Sequence, residues 1–343
     1  MKRVGILTGG GDAPGLNGII ESAVTVLLQQ GYEVVGIRDG FEGIFSGDVL
    51  DLTTAQIRGY HAEAGSLLGA SNKSPIAGRE ELFRSQFAKL NLDGLIAVGG
   101  DGTFSGLSKI SPRIKIIGLP KTIDNDLSGT DITFGYDTAC AVVSESVDAL
   151  RATAETHRRI IVVETMGRTS GWIALGGGLS SYSDVILIPE RPFSREALLK
   201  YILQKKSTGQ RGLMIVVSEG ASASGESAQV LFTVKGSPQA ERYGGVAQTL
   251  SRWLDEQTGW ESRHVVLGHL QRSRHPTTTD RFLTLAMGVE AARMVMEEAW
   301  DQAVVYRQGR VKRAPLDDLM KPARLVDSHH HWVQLAQSLR IFI

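Results

Sequence analysis

The 343-residue sequence is poor in cysteine, in aromatic residues and in long apolar runs, and it carries no net charge. Its one cysteine, Cys140, cannot form an intrachain disulfide and is typical of a small core residue rather than a nucleophile. With 37 Lys plus Arg against 37 Asp plus Glu, no overall field draws the chain to nucleic acid or to an anionic membrane. No run reaches the roughly 18 apolar residues of a membrane span, and the start, MKRVGILTGG, does not resemble a signal peptide. We therefore expect a soluble cytoplasmic protein that binds neither nucleic acid nor membrane.

Short runs rich in Val and Ile alternate along the chain with longer amphipathic segments. Eight of these runs are the predicted strands: RVGILTGG, YEVVGIRDG, GLIAVGGDG, IKIIGLP, RIIVVETMG, SDVILIPE, GLMIVVSEG and RHVVLGHL. Most lack apolar–polar alternation, which is typical of strands buried on both faces of a parallel sheet. The pattern predicts an α/β protein of two doubly wound, Rossmann-like lobes with mainly parallel sheets. Because ligands bind beyond the carboxyl ends of such strands, we expect the chemistry in the residues that follow each run.

Two glycine loops follow predicted strands. In TGGGDAPGLN, the glycines Gly9–Gly11 let the backbone approach a ligand, and the helix that opens after Pro14 offers free amides to an anion. This loop matches neither the Walker A nor the dinucleotide pattern, so a plain tight turn stays open. In VGGDGTFSG, the carboxylate of Asp101 is suited to Mg²⁺ while neighbouring amides meet phosphate oxygens, with an Asx turn as the alternative.

The stretch PKTIDNDLSGTD, residues 120–131, combines a cation with several acids. In an extended segment Asp124 and Asp126, two residues apart, would face the same way. One acid would then hold Mg²⁺ and the other would accept the proton of an attacking hydroxyl, the two roles that phosphoryl transfer needs. Thr122 would hydrogen-bond the substrate or the transferring group, and Lys121 would neutralise developing charge. A polar loop with Asx turns is the alternative.

Taken in order, TGGGDAPGLN, GGDGT, PKTIDNDLSGTD, MGRTSGW and LGHLQR resemble the motifs of the 6-phosphofructokinase family, and PKTIDND is highly specific. The resemblance runs from residue 1 to about 320. It implies a glycolytic phosphotransferase that uses Mg²⁺ and moves a phosphoryl group from ATP to the 1-hydroxyl of fructose 6-phosphate, with pyrophosphate as the alternative donor. It also implies an active site in the cleft between a donor lobe, 1–135 plus 271–321, and a sugar-phosphate lobe, 136–270 plus 322–343.

Matched position by position, the resemblance implies that Asp124 is the general base, that Thr122 positions the reacting groups, and that Arg168 and Lys121 stabilise charge. Asp101 and Asp126 would hold Mg²⁺. The donor phosphates would be bound by Gly10, Gly11, Gly102 and Thr103, and the sugar phosphate by Arg159, Met166, Gly167, Glu219, Arg263, His269 and Arg272. Asn72 stands where many relatives carry a phosphate-contacting arginine, so this donor contact is either supplied by Asn72 with the neighbouring Lys73 or lost. In the family the first and fifth of the sugar residues reach into the neighbouring subunit's site, which implies a homo-oligomer, a tetramer or a dimer.

The markers of the phosphoryl donor disagree. Pyrophosphate-dependent members of the family place an Asp where this chain has Gly102, and a Lys where it has Lys121. A carboxylate at position 102 would repel and obstruct the α-phosphate of ATP, whereas glycine leaves room. The sequence therefore favours ATP, with pyrophosphate left open.

Some positions depart from the family pattern. After LGHLQR the family continues with two glycines and a small residue, whereas this chain has Ser273, Arg274 and His275, which would reshape the 6-phosphate pocket or add a phosphate contact. Sedoheptulose 7-phosphate is therefore the second candidate sugar. On the first helix, Glu21 and Thr25 stand where allosteric bacterial relatives carry arginines, so we expect weak or no response to ADP and phosphoenolpyruvate.

Two rival classes remain open. The first is another kinase with a GGDGT motif, such as an NAD kinase, against which PKTIDND counts. The second is a non-catalytic regulatory paralogue, which would be expected to lose an acid from TIDND, whereas Asp124 and Asp126 both stand.

Overall fold

The computed structural model describes residues 2–71, 76–110, 113–234 and 240–343. The strands are β1 (Arg3–Thr8), β2 (Glu33–Ile37), β3 (Val49–Asp51), β4 (Gly94–Gly99), β5 (Ile116–Pro120), β6 (Ile160–Thr165), β7 (Val185–Leu187), β8 (Leu213–Ser218), β9 (Val230–Thr233), β10 (Glu241–Tyr243), β11 (Ser262–Val266), β12 (Gln302–Arg307) and β13 (Arg310–Pro315). The helices are α1 (Leu16–Gln29), α2 (Phe41–Ser46), α3 (Thr54–Ile57), α4 (Glu80–Lys89), α5 (Asp101–Leu107), α6 (Tyr136–His157), α7 (Trp172–Ser180), α8 (Arg195–Ser207), α9 (Val246–Thr258), α10 (Leu270–Ser273), α11 (Thr278–Met296) and α12 (His331–Ser338), with 3₁₀ turns at Tyr60–Ala62 and Leu316–Met320.

The chain forms two compact units. Among the described residues, the first unit holds the chain up to 138 together with 272–323, and the second holds 139–234, 240–271 and 324–343. The division falls within α6, again within α10, and once more between residues 323 and 324. The boundaries predicted for a donor lobe and a sugar-phosphate lobe, and the cleft between them, stay predictions.

The first unit contains a seven-stranded sheet in the order β13-β12-β5-β4-β1-β2-β3. Its five inner strands are parallel, and β3 and β13 are antiparallel edges. The central strands β1, β4 and β5 are almost wholly buried, because their Val, Ile and Leu side chains face apolar layers on both sides. Phe83, Phe104 and Leu316 pack in one of these cores. The carboxyl ends of β1, β4 and β5 therefore lie side by side at one edge of the sheet.

The second unit contains a parallel four-stranded sheet in the order β11-β6-β8-β7. Near the C-terminus, Phe342 bridges to Val185, and its carbonyl accepts a hydrogen bond of 2.8 Å from the amide of Ile186, so the last residues lie along β7. β9 and β10 form a separate antiparallel pair.

The predicted α/β class with mainly parallel sheets is confirmed, and all eight predicted strands are present. The sequence did not predict β3, β9, β10, β12 and β13. Four of these are antiparallel strands at edges or in the hairpin, and β9 is exposed along its whole length, so they lack the apolar run that marks a buried parallel strand. Within the described ranges, no helix is long and apolar enough to cross a membrane.

Candidate active site

Three predicted stretches lie together at the carboxyl edge of the first sheet. The glycine loop follows β1, Asp101 follows β4, and Lys121 follows β5, and these strands are neighbours in the order β5-β4-β1. Backbone hydrogen bonds of 2.8 Å join Gly9 to Val98 and Lys121 to Gly99, so the first residues of each loop are held in register with the next strand. The fold thus places a glycine loop, an acid and a cation at one edge.

The glycine loop lies against two cations. Gly10 has φ +80°, and a Cβ built on it would lie 3.2 Å from the Nζ of Lys121. A Cβ on Gly11 would lie 3.3 Å from an Nη1 of Arg272. The absence of side chains therefore keeps the backbone of this loop close to both positive charges, an arrangement suited to phosphate.

Lys121 and Arg272 both donate to carbonyl oxygens of the loop. The Nζ of Lys121 donates to Gly11, and the Nη1 of Arg272 donates to Asp12 over 2.7 Å. Burial first, and then the charge of Arg272, lower the pKa of Lys121 to about 8, against the opposite effect of the carboxylates of Asp124 and Asp12. A buried lysine with such a pKa is still mainly charged at neutral pH, so an anion at this edge meets two cations.

The predicted catalytic stretch is a turn and not an extended segment. Ile123 and Asp124 form the turn, the amide of Asp124 donates 3.1 Å to the hydroxyl of Thr122, and Asn125 has φ +54°. The expected extended segment, in which Asp124 and Asp126 would face the same way, is therefore wrong. The side chain of Thr122 accepts a hydrogen bond from the backbone two residues on and so closes a local turn. Asp124 is 7% exposed and Asp126 is half-buried.

Asn125 anchors this turn from within. Its Oδ1 accepts from the amide of Thr133 at 2.9 Å, and the hydroxyl of Thr133 donates to the carbonyl of Thr122 at 2.7 Å. Both Asn125 and Thr133 are buried, so these bonds are shielded from water. The turn that carries Asp124 is thus fixed by the segment that begins at Thr133.

The stretch after β4 begins α5. Asp101 and Gly102 are exposed in its first turn, whereas Thr103 is 4% exposed. The Oγ1 of Thr103 would lie 2.6 Å from a Cβ on Gly9, so its side chain packs against the glycine loop. A role of Thr103 toward the donor would therefore fall to its backbone.

A depression of about 330 Å³ lies beside the glycine loop. It is lined by Gly10, Gly11, Asp12, Gly65, Ser66, Gly69 and Ala70. Asn72 and Lys73, predicted to contact the donor, lie outside the described residues. The size and the glycine backbone of the depression suit a phosphate chain, and it adjoins the two cations.

In the second unit, the predicted sugar residues follow neighbouring strands. Met166, Gly167 and Arg168 follow β6, and Glu219 follows β8. Arg168 has φ +54°, and its amide donates 2.9 Å to the Oε1 of Glu219. Glu219 therefore holds the backbone of the loop that carries Arg168, in addition to the predicted role toward sugar hydroxyls.

The predicted basic set is divided. The side chains of Arg159 and Arg263 both pair with Glu261, Arg159 at 2.9 Å. They lie at the amino ends of β6 and β11, so the length of β6, about 20 Å for six residues, separates Arg159 from Arg168. His269 is exposed beyond the carboxyl end of β11. Arg272 lies in the first unit beside Asp12.

A family model described as phosphofructokinase matches residues 3–295. The chain belongs to the phosphofructokinase family. This confirms the resemblance inferred from the motifs, and with it the prediction of a phosphotransferase enzyme.

Relatives in the phosphofructokinase family carry both donor names. An ATP-dependent 6-phosphofructokinase 3 from Streptomyces coelicolor is 38% identical over 328 residues, covering 94% of this chain and 96% of the relative. A pyrophosphate–fructose 6-phosphate 1-phosphotransferase from Amycolatopsis methanolica is 42% identical over 319 residues, covering 92% and 93%. A solved phosphofructokinase structure from Saccharomyces cerevisiae matches with a TM-score of 0.81 and 27% identity, covering 99% of this chain and 47% of that chain. This chain thus spans about half the length of the yeast chain.

Two residues that shape the depression were not predicted as site residues from the sequence, although both lie in the motif TGGGDAPGLN. Asp12 lines it. Asn17 is 1% exposed. It accepts a hydrogen bond of 2.7 Å from the amide of Leu67 and donates one of 3.2 Å to the carbonyl of Glu63, so it fixes the segment that forms the far wall of the depression. A polar residue on the buried face of α1 was the available signal.

Two departures from the family pattern have visible partners. The Nδ1 of His275 lies 3.0 Å from the carbonyl oxygen of Ala62 and 3.7 Å from the carboxylate of Glu63, next to the wall of the depression. The carboxylate of Glu21 accepts from the amides of Gly59 and His61. Burial raises the pKa of Glu21, but these hydrogen bonds outweigh burial and lower it. Glu21 therefore has a structural function on α1, and the predicted weak response to effectors stays a prediction.

Proposed function

We propose that this phosphofructokinase transfers the terminal phosphoryl group of ATP to the 1-hydroxyl of fructose 6-phosphate and yields fructose 1,6-bisphosphate, a glycolytic reaction that we place in the cytoplasm. The observation that carries the proposal is the meeting of three loops at one sheet edge, where the turn of Asp124 lies beside Lys121 and the glycine loop. A base, a cation and a phosphate-binding backbone are the groups that phosphoryl transfer requires.

Asp124 acts as the general base. Asp124 is 7% exposed and lies on a turn fixed by the hydroxyl of Thr122, so its position is set before the sugar binds. It takes the proton of the 1-hydroxyl as that oxygen attacks the terminal phosphorus and the bond to the leaving phosphate breaks. Lys121 and Arg168 stabilise the charge on the transferring group.

Asp101 and Asp126 would hold Mg²⁺. The described part of the chain contains no cluster of three or more His, Cys, Asp and Glu side chains that would hold a metal alone. Mg²⁺ does not need one, since it commonly binds one or two carboxylates and completes its shell with water and substrate phosphates. The half-buried Asp126 and the exposed Asp101 at this sheet edge fit that requirement. The ion supplies charge neutralisation on the donor phosphates when bound.

ATP is the proposed donor because position 102 has no side chain in the exposed first turn of α5. A nucleotide α-phosphate would find room there, whereas an aspartate would repel it. Pyrophosphate is the second candidate, and one specific feature favours it: Lys121, the residue type of pyrophosphate-dependent members, is buried at the site.

The sugar phosphate is proposed to bind Met166, Gly167, Glu219 and His269, with Arg272 and the two arginines Arg159 and Arg263. The two arginines lie at the amino ends of their strands, far from Arg168 in their own unit. This supports a homo-oligomer in which a neighbouring subunit supplies them. The tetramer or dimer is therefore part of the proposal.

The deciding experiment compares initial rates with ATP and with pyrophosphate, each with Mg²⁺ and fructose 6-phosphate at matched concentrations. Faster turnover with ATP supports the proposed donor, and faster turnover with pyrophosphate overturns it while leaving the reaction class intact. Sedoheptulose 7-phosphate is the second sugar in the same assay. Activity with neither donor on either sugar would overturn the function.

The shared site is tested by mixing two inactive variants, Asp124→Ser and Arg263→Ala, after dissociation and reassembly. Hybrid oligomers would contain some sites with both intact residues, so activity should return if Arg263 acts in the neighbouring subunit's site. No recovery, with hybrid formation shown by mass, would place both residues in one subunit's site.

A further inference from the structure

A buried acid of α11, Asp280, joins that helix to the segment behind the catalytic turn. Asp280 is fully buried in the first turn of α11. One carboxylate oxygen accepts from the amide of Gly135 at 2.9 Å, and the other accepts from the amide of Thr138 at 2.9 Å and from its hydroxyl at 2.5 Å. Three donors thus meet a group that can only accept when ionised.

Thr277 completes the connection. Its amide donates 3.0 Å to the hydroxyl oxygen of Thr138, and its own hydroxyl donates 2.6 Å to the carboxylate of Asp137. Thr277 also caps α11, since its hydroxyl accepts from the amide of Asp280. The first turn of α6 is therefore tied to the first turn of α11 through several bonds on each side.

The segment held in this way backs the catalytic turn. Phe134 forms a parallel bridge with Lys121, and Thr133 binds both Asn125 and the carbonyl of Thr122. Gly135, with φ +89°, packs closely enough that a Cβ there would lie 3.1 Å from Ile123 and 3.0 Å from Ala13. The residues from Thr133 to Thr138 therefore touch both the catalytic turn and the end of the glycine loop.

We propose that Asp280 is a positioning residue: by holding Gly135 and Thr138 it fixes the backing segment, and through that segment it sets the place of the turn that carries Asp124. The inference rests on the proposed function of Asp124 as the base. Asp280 itself touches no reacting group in this arrangement.

Asp280→Asn is the sharpest variant, because it keeps the shape but replaces one accepting oxygen by an amide that faces N–H or O–H donors. A small shift of the base is enough to cost a large factor in rate. We expect kcat to fall about tenfold or more while the KM for sugar and for donor changes less than about threefold. Thr138→Ser should keep wild-type kcat, and Thr138→Val should lose part of it.

Backbone hydrogen exchange tests the inference without activity. Asp280→Asn should speed exchange about tenfold or more in the peptides that span 121–126 and 133–138. The matched control is Asp184→Asn in the second unit, where the carboxylate accepts 2.9 Å from the amide of Met214 and 2.8 Å from Gln210. In this control, exchange should change near 210–214 and not at 121–126.

The outcomes separate the two proposals. If Asp280→Asn leaves exchange at 121–126 unchanged, or leaves kcat within twofold in an active enzyme and only lowers the melting temperature, the positioning role is overturned. If exchange rises at 121–126 but the wild type shows no phosphoryl transfer, the positioning role of Asp280 stands and the proposed function fails.

Discussion

The ammonium of Lys121 donates to the carbonyl oxygen of Gly11, so the residue that follows β5 holds the loop that follows β1. This bond gives Lys121 a function in the protein before any donor binds. A lysine at this position therefore does not by itself require pyrophosphate, and the open position at Gly102 carries more weight in the choice of ATP.

The titration of Lys121 should appear in the pH dependence of donor use. Burial first, and then the charge of Arg272, lower its pKa to about 8. Since the charged form binds phosphate, kcat/KM for ATP should fall about tenfold per pH unit above pH 8, as expected for loss of one essential proton from the free enzyme. Steady-state rates between pH 6.5 and 9.5 at saturating fructose 6-phosphate measure this decrease in kcat/KM.

Lys121→Met is the control for the decrease in kcat/KM above pH 8, because a thioether fills the buried space and does not titrate. Its kcat/KM for ATP should be lower than that of the wild type at pH 7 and flat through pH 8. If kcat/KM fell at the same pH in both proteins, the titrating group would not be Lys121, and its proposed role would be contradicted.

Removal of the base should act on turnover. Asp124→Ser should lower kcat about 10²- to 10⁴-fold, the range for loss of a general base, with sugar binding within about threefold of the wild type. Rates and equilibrium sugar binding are the two measurements. Asp131→Ser is the control in the same stretch, since Asp131 is exposed and accepts 2.6 Å from the amide of Gln308. A kcat for Asp124→Ser near that of the control would remove Asp124 from the chemistry.

The donor should respond to charge at position 102. Gly102→Asp should raise the KM for ATP about tenfold or more, because a carboxylate in the first turn of α5 repels the α-phosphate. The KM for pyrophosphate should change less, since pyrophosphate has no group there. Gly102→Ala adds a methyl group without charge and separates crowding from repulsion. If both variants changed the KM for ATP and the KM for pyrophosphate equally, Gly102 would not select ATP by leaving space for its α-phosphate.

The sequence predicted the parts of the fold that depend on long buried runs. β1, β4, β5, β6 and β8 are rich in Val, Ile and Leu and almost wholly buried, and their carboxyl ends are where the predicted site residues lie. The edge strands and the hairpin were not predicted because they are short, antiparallel or exposed, and local composition does not mark such strands.

The arrangement of the site was harder to predict than its residues. Asp124, Lys121 and Gly11 were named from the sequence, but the turn at Ile123–Asp124 depends on Thr133, eight residues beyond Asn125, and that segment depends on Asp280. Such long-range hydrogen bonds leave no periodic pattern in the chain. The local sign of Asp280 was an acid on the mainly apolar buried face of α11, which also holds Thr284.

The stability of the protein should also depend on pH through Asp280. Burial raises its pKa to about 6, and Asp137 adds to the rise, while the hydrogen bonds from Thr138 and Gly135 oppose it. Because the folded pKa lies above the ordinary 3.8, the folded state binds this proton more tightly than the unfolded state. The contribution of this group to the free energy of unfolding is therefore complete below about pH 4 and is lost as pH rises through 6.

Asp280→Asn should remove this dependence. The difference in free energy of unfolding between the wild type and Asp280→Asn should shift by about 2 kcal/mol between pH 4.5 and 7, with the wild type relatively more stable at the acidic end. Urea unfolding of both proteins at several pH values measures it, and the pH-independent cost of the substitution cancels in the comparison. A difference that stays constant with pH would show that the carboxyl of Asp280 titrates alike in the folded and unfolded chains, and burial would then be fully offset by its three hydrogen-bond donors.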